Sequence, residues 1–184
     1  MSNKIEAIIF DLDGILTDTA DLHYKSWKIP LEDENIYFSK EENNKLRGLS
    51  RKDSIKTIAE IKNKHFSQEK KEMIMKRKND LYQNFITEID KDYMIDGIYD
   101  LLLKLKEKKY KLAVASASRN AKLVIKSLGL EHFFRIIADG NSVEKSKPAP
   151  DIFLFAANEI GVKAENSIVI EDSEAGIEAA HKAG

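Results

Sequence analysis

Asp11 and Asp13 stand two residues apart at the end of an apolar run, in AIIFDLDGILTDT over residues 7–19. Side chains alternate along an extended chain, so residues two apart point the same way and the two carboxylates are expected to meet where the run ends. Neighbouring acids repel unless one is protonated or a cation lies between them. The spacing therefore predicts a hard metal ion, and Mg2+ suits it, because it takes oxygen ligands, tolerates few carboxylates and keeps room for water and a phosphate oxygen. Gly14 then allows a turn that a side chain would forbid. Aspartates that merely cap a turn would account for the same stretch.

A second acidic pair, Glu171 and Asp172, follows the apolar run SIVI in IVIEDSEAGIEAA. It offers further oxygen ligands, although Asp172 or Ser173 could equally act as the N-cap of a helix starting near Glu174. A metal ringed by carboxylates and facing a phosphate needs hydroxyls and cations for the remaining oxygens. Ser116, Ala117 and Ser118 end the run AVASASRN, where hydroxyls and backbone N–H groups can cradle a phosphate at the start of a helix. Lys147, in SKPAPD, supplies a point charge on a loop stiffened by two prolines. Each feature alone is ordinary, as a turn serine or a solvated lysine.

These groups need a scaffold that brings chain ends together, and the hydrophobic pattern supplies one. Ile5–Phe10, Lys111–Ala115, Phe134–Ala138 and Ser167–Ile170 read as short buried strands. Between them run helical patterns: Ile98, Leu101, Leu102 and Leu105 form one stripe, and Leu123, Val124 and Leu128 another, stopped by Gly129. Pro150–Ile160, closed by Gly161, and Glu174–Lys182 complete the set. Alternating strands and helices predict an α/β fold with a parallel, Rossmann-like sheet, whose ligands bind at the carboxyl ends of the strands.

Residues 18–94 break the alternation with helical periodicity and many charges, so a helical insert is expected there, between core segments 1–17 and 95–184. Ser50 with Asp53 resembles a capping box for a helix to about Lys64. Ser67 starts a longer helix with Ile74, Leu81 and Phe85 on one face, and Pro30 is expected to end or bend the first helix near Trp27. A net charge of -1 gives no global field toward nucleic acid or membrane, and the absence of cysteine excludes disulfides and thiolate sites. With no signal-like or membrane-length apolar run, a soluble, cytoplasmic monomer is expected.

DLDGILTDT, SAS, KPAPD and EDSEAG, in this order, resemble the four signature loops of the haloacid dehalogenase superfamily of aspartate-nucleophile phosphotransferases. TADLHYKSW, LRGLSRKDS, KRKND, ASASRN, SKPAPDIF and EDSEAGI are similar, more narrowly, to its branch that exchanges hexose 1- and 6-phosphates. The likeness runs from Ile5 to the last residue. It implies a helical cap over the core, Asp11 as nucleophile and Asp13 as general acid and base. Mg2+ would be held by Asp11, the carbonyl of Asp13 and Asp172, with Glu171 nearby. Ser116, Ala117 and Lys147 would hold the transferring phosphoryl group.

Arg51, Ser118, Arg119 and Asn120 would recognise a second phosphate of a small sugar-phosphate substrate. Thr19, His23, Lys78, Gly48 and Leu49 match cap and hinge positions that contact the acid or the sugar, and Trp27 is expected mainly to pack. Arg47, Leu49 and Arg119 replace the lysine, valine and lysine usual in that branch. A sugar-phosphate phosphatase and a catalytically idle phosphate-binding module are the alternatives. The family pattern continues past HKAG with a strand and a helix, so SIVI is expected to be left as an uncovered edge, as in a fragment.

Overall fold

Four short runs of β-branched and small apolar residues make one sheet: β1 (Ala7–Phe10), β2 (Lys111–Ala115), β3 (Ile136–Ala138) and β4 (Ser167–Ile170). The structure, a computed structural model, describes residues 4–184. All pairings are parallel, in the order β3-β2-β1-β4. Phe10 stands opposite both Val114 and Ile170, so these strands end at one level. The residues that follow them, Asp11, Ser116 and Glu171, thus emerge side by side at the carboxyl edge. The expected strands at Ile5 and Phe134 are shorter than the apolar pattern suggested.

Between β1 and β2 the chain forms α1 (Ala20–Glu32), α2 (Lys40–Asn44), α3 (Arg51–Ile61), α4 (Gln68–Ile86) and α5 (Ile98–Glu107). The helix α6 (Ala121–Ser127) follows β2, α7 (Asp151–Glu159) follows β3, and α8 (Glu174–Ala183) follows β4. The two-residue period of β1 divides its side chains between two cores. Ile8 and Phe10 pack with Leu102, Val124 and Ile125 on one face, while Ala7 and Ile9 pack with Phe153, Ala156 and Ala179 on the other. A third core, with Trp27, Leu31, Phe38, Ile55, Ile58 and Ile74, belongs to the helical insert. No helix among the described residues is long and apolar enough to cross a membrane.

Several expectations need correction. The helix α1 runs through Pro30 to Glu32, so of the two effects expected of Pro30, to end or to bend the helix near Trp27, the first does not occur. An interior proline costs about 3 kcal/mol, but Trp27, Pro30 and Leu31 are all buried here. Each large apolar side chain contributes about 1.5–3 kcal/mol on burial, so packing outweighs the lost hydrogen bond. On α4 the buried stripe is Ile74, Lys78, Tyr82 and Ile86, one residue round from Leu81 and Phe85, which are half-buried. On α5, Leu101 stays 37% exposed. The edge of β4 is open, with Ile168 45% exposed.

The start of α3 is half a capping box. Ser50 Oγ accepts from the Asp53 N–H at 3.2 Å, as expected. The Asp53 carboxylate does not reach back to the Ser50 backbone; it accepts from the hydroxyls of Ser50 and, at 2.8 Å, of Ser146 in the core.

Candidate active site

The turn after β1 is drawn tight by the Leu12 carbonyl, which accepts from the N–H groups of Leu16 at 2.9 Å and Thr17 at 3.2 Å. Gly14 has φ +91°, and a Cβ there would overlap the Asp172 carboxylate. Glycine therefore lets the two acidic loops touch. Asp11 is buried, and its Oδ1 accepts from Lys147 Nζ at 2.6 Å. The same Nζ donates to Glu171 Oε2 at 2.6 Å, and the lysine side chain is 0% exposed. Glu171 Oε1 accepts from Ser173 N–H at 3.0 Å and Ser173 Oγ at 2.8 Å. Ser173 Oγ in turn accepts from Gly176 N–H at 3.1 Å, which makes Ser173, not Asp172, the cap of α8.

Carboxylate oxygens of Asp11, Glu171 and Asp172 lie within 4.8 Å of one another. Asp13 does not join them through its side chain. Its carboxylate accepts from Thr19 Oγ1 and lies 3.7 Å from His23 Nε2. The chain leaves β1 at Phe10 and turns from Leu12 onward, so the Asp13 carboxylate takes its own partners, while its charge still acts on Asp11 and both line one cavity.

The two acids are driven in opposite directions. Burial pushes Asp11 up to about 7, against Lys147, whose single charge is shared with Glu171. Asp13 is held below the ordinary carboxylate range: burial opposes this, but the hydrogen bond and charge of His23, with Thr19 and Lys78, outweigh it. Burial also raises Asp172, against the pull of Arg47, whose Nη1 donates to Asp172 Oδ2 at 2.7 Å. Three carboxylates around one buried lysine call for more positive charge. An all-oxygen donor set fits a hard divalent cation such as Mg2+.

Beside the acids, Ser116 is buried at the end of β2, where its N–H donates to the Ala138 carbonyl at 3.0 Å. Its Oγ accepts from Ser118 N–H at 3.1 Å, and Ser118 Oγ accepts from Asn120 N–H at 3.2 Å. This chain of hydroxyl turns sets Ala117 on the cavity wall and leads into α6. Asn120 is clasped by α4, through Asn79 at 3.0 Å and Gln83 at 3.1 Å.

From the insert, Arg51 opens α3, and burial and the neighbouring Arg119 both lower its pKa. Among the described residues neither arginine has an acid within salt-bridge distance. Lys78 Nζ lies 3.1 Å from His23 Nδ1 and 4.3 Å from the Tyr82 ring centre, and burial with the Arg51 charge brings its pKa down to about 7. When charged, Lys78 donates to His23 Nδ1, which leaves the ring proton on Nε2 to face Asp13. Burial and Lys78 hold His23 below the usual histidine range. Leu49 is half-buried on the cavity wall, and Gly48, at φ +74°, packs against Ser173. Trp27, 2% exposed, is a packing residue of the cap core, with Lys78 Nζ 5.7 Å from its ring.

Asp11, Asp13, His23, Arg51, Lys78 and Lys147 line one cavity of about 1100 Å³, together with Arg47 to Leu49 and Ser116 to Asn120. Three participants were not legible as site residues: Arg47 on Asp172, Asp53 on Ser146, and Tyr82, whose ring stacks on His23 at 4.2 Å while its hydroxyl donates to Thr19 Oγ1 at 3.3 Å. Tyr82 carried one signal, its four-residue spacing from Lys78.

The family model described as haloacid dehalogenase-like hydrolase matches residues 8–184. The chain is 40% identical to the β-phosphoglucomutase of Bacillus subtilis (strain 168), over 98% of this chain and 80% of that protein. It is 28% identical to the phosphorylated carbohydrates phosphatase of Thermotoga maritima, over 98% of this chain and 82% of the relative. The crystal structure of β-phosphoglucomutase from Clostridium difficile superposes with a TM-score of 0.92 at 40% identity, covering 97% of this chain and 81% of that one.

Proposed function

The chain belongs to the haloacid dehalogenase-like hydrolase family, and from that premise we propose that it is a β-phosphoglucomutase. It interconverts β-D-glucose 1-phosphate and glucose 6-phosphate through an aspartyl-phosphate enzyme and β-glucose 1,6-bisphosphate. The helical insert, 18–94, acts as a cap over a core made of 1–17 and 95–184. The enzyme is read as a cytoplasmic monomer.

In this reading Asp11 attacks phosphorus, forming the Asp11 O–P bond as the bond from phosphorus to the sugar oxygen breaks. Asp13 gives a proton to the departing oxygen and takes one from the hydroxyl that attacks next. Its partners His23, Thr19 and Lys78 hold the carboxylate toward the cavity. Lys147, Ser116 Oγ and the Ala117 N–H hold the equatorial oxygens, so catalysis is chiefly positioning and charge stabilisation. Asp11, Asp172 and the Asp13 carbonyl would hold Mg2+, with Glu171 fixing Lys147 and the turn. When bound, the ion neutralises charge between the attacking carboxylate and the phosphoryl oxygens.

The observation that carries the mutase reading is the pair Arg51 and Arg119, which line the cavity close enough for Arg119 to lower the Arg51 pKa, with no acid within salt-bridge distance of either among the described residues and only Asp80 acting on Arg51 from farther off. A second anion site is what a bisphosphate intermediate requires, and a planar guanidinium holds phosphate oxygens in two bonds. The Thermotoga relative favours a second reading, a sugar-phosphate phosphatase in which water takes the phosphoryl group from Asp11. Incubation with β-glucose 1-phosphate, Mg2+ and a trace of bisphosphate separates them. Glucose 6-phosphate is the expected product, whereas free phosphate as the main product overturns the mutase.

A further inference from the structure

The contact between Arg47 and Asp172 joins residues 125 apart in sequence, one in the loop between α2 and α3 and the other at the acidic turn before α8. We propose that Arg47 is a displaceable counter-charge: it holds Asp172 until a divalent ion takes that carboxylate, then turns to the substrate's non-reacting phosphate beside Arg51. This rests on the phosphotransfer reading above.

Two cations serve the three clustered carboxylates, and they differ in how firmly they are held. Lys147 is fully enclosed and bridges Asp11 and Glu171, so it has nowhere to go. Arg47 is 45% exposed, meets only Asp172, and has open cavity beside it. A divalent ion together with Lys147 offsets all three negative charges and makes the arginine surplus. Like charges close together raise the energy of both, so metal and guanidinium compete for one carboxylate.

The loop is built for such an exchange. Gly48, in a left-handed conformation, packs against Ser173 and pins the loop beside the acidic turn. Arg47 itself stays at the surface of the cavity, four residues before Arg51. Its planar fork suits carboxylate and phosphate alike, so leaving one for the other forfeits little. A plain staple between insert and core would act differently: removing it would loosen the loop and leave metal affinity unchanged or weaker.

The test is calorimetric titration of Mg2+ into the full chain without substrate, at low ionic strength, for the wild type, Arg47→Gln and Arg47→Lys. Partly exposed ion pairs are modest, so Arg47→Gln is expected to bind Mg2+ about two- to fivefold more tightly. Arg47→Lys should fall between the two. A second titration, of glucose 6-phosphate at saturating Mg2+, should show at least about tenfold weaker binding in Arg47→Gln, the loss of a charge-assisted hydrogen bond. Unchanged or weaker Mg2+ binding in Arg47→Gln overturns the exchange, and unchanged sugar-phosphate binding overturns the hand-over. If the wild type itself binds no Mg2+, the metal reading of Asp11 and Asp172 falls, and this proposal falls with it.

Discussion

The two walls of the cavity are made on different principles. The core wall comes from strand ends: Asp11 and Ser116 follow β1 and β2 directly and line the cavity, with Glu171 after β4 set beside Asp11 behind them. The cap wall is cationic and comes from helices and a loop, with Arg47, Arg51 and Lys78 reaching inward on long side chains. Backbone hydrogen bonds fix the first wall to within the precision of a sheet. The second can be adjusted by rotating side chains or tilting helices. On the proposed reading the contrast is a division of labour: the bond-making atoms sit on the sheet-borne wall, while Arg51 and Lys78, which recognise the rest of the substrate with help from Arg119 of the core, sit on the helical one.

Substitutions should separate the walls by the size and kind of their effect. The largest is expected for Asp11→Asn, which should abolish phosphate labelling of the enzyme and lower turnover by roughly 10^4-fold or more. Asp13→Asn, two residues on, should lower turnover by about 10^2–10^4-fold, the usual range for a lost general acid and base, while Mg2+ still binds by calorimetry. Labelling that persists in Asp11→Asn would remove it as nucleophile and with it the assignment of chemistry to the core wall.

On the opposite wall, Arg51→Ala should raise the KM for β-glucose 1,6-bisphosphate by about 10–100-fold, the value of a charge-assisted contact. Phosphoryl transfer to Asp11 from a small donor such as acetyl phosphate should change far less. Equal losses in both assays would erase the distinction between the walls.

The last effect is one of stability, and leaves turnover aside. Burial lowers the pKa of Lys78 from 10.5 to about 7 in the folded chain. Between those values the unfolded chain carries a proton that the folded chain lacks, so this group makes stability rise with pH across that window. Denaturant midpoints of the wild type should climb more steeply than those of Lys78→Met from about pH 7 to about pH 9.5. Parallel slopes would mean that Lys78 stays charged in its pocket.

The core wall was largely legible in the sequence, because its residues follow apolar runs that could only be buried strands, and parallel sheets present their ligands at one edge. Asp13 marks the limit of that reasoning: the chain turns at Leu12, so its partners Thr19 and His23 could not be read from alternation, although it lines the same cavity as Asp11. The cap wall was harder. A charged helix gives weak phase information, so the buried face of α4 was placed on Leu81 and Phe85, whereas it carries Lys78 and Tyr82, two polar residues held inside by His23 and Thr19. Arg47 was read only as a replacement for the branch's usual lysine, and Asp53 only as the capping partner of Ser50. Their partners, Asp172 and Ser146, lie on another segment, and neither composition nor periodicity encodes pairing over such separations.

Lys147 meets Asp11 across 136 residues of chain. A ribosome adds about 5–20 residues each second, so the emerging polypeptide carries Asp11, the proposed nucleophile, for on the order of ten seconds before the lysine is even made. The strand bearing Glu171 comes later still. Translation therefore delivers a harmless acid first and arms it last, when nearly the whole sheet has been laid down around it.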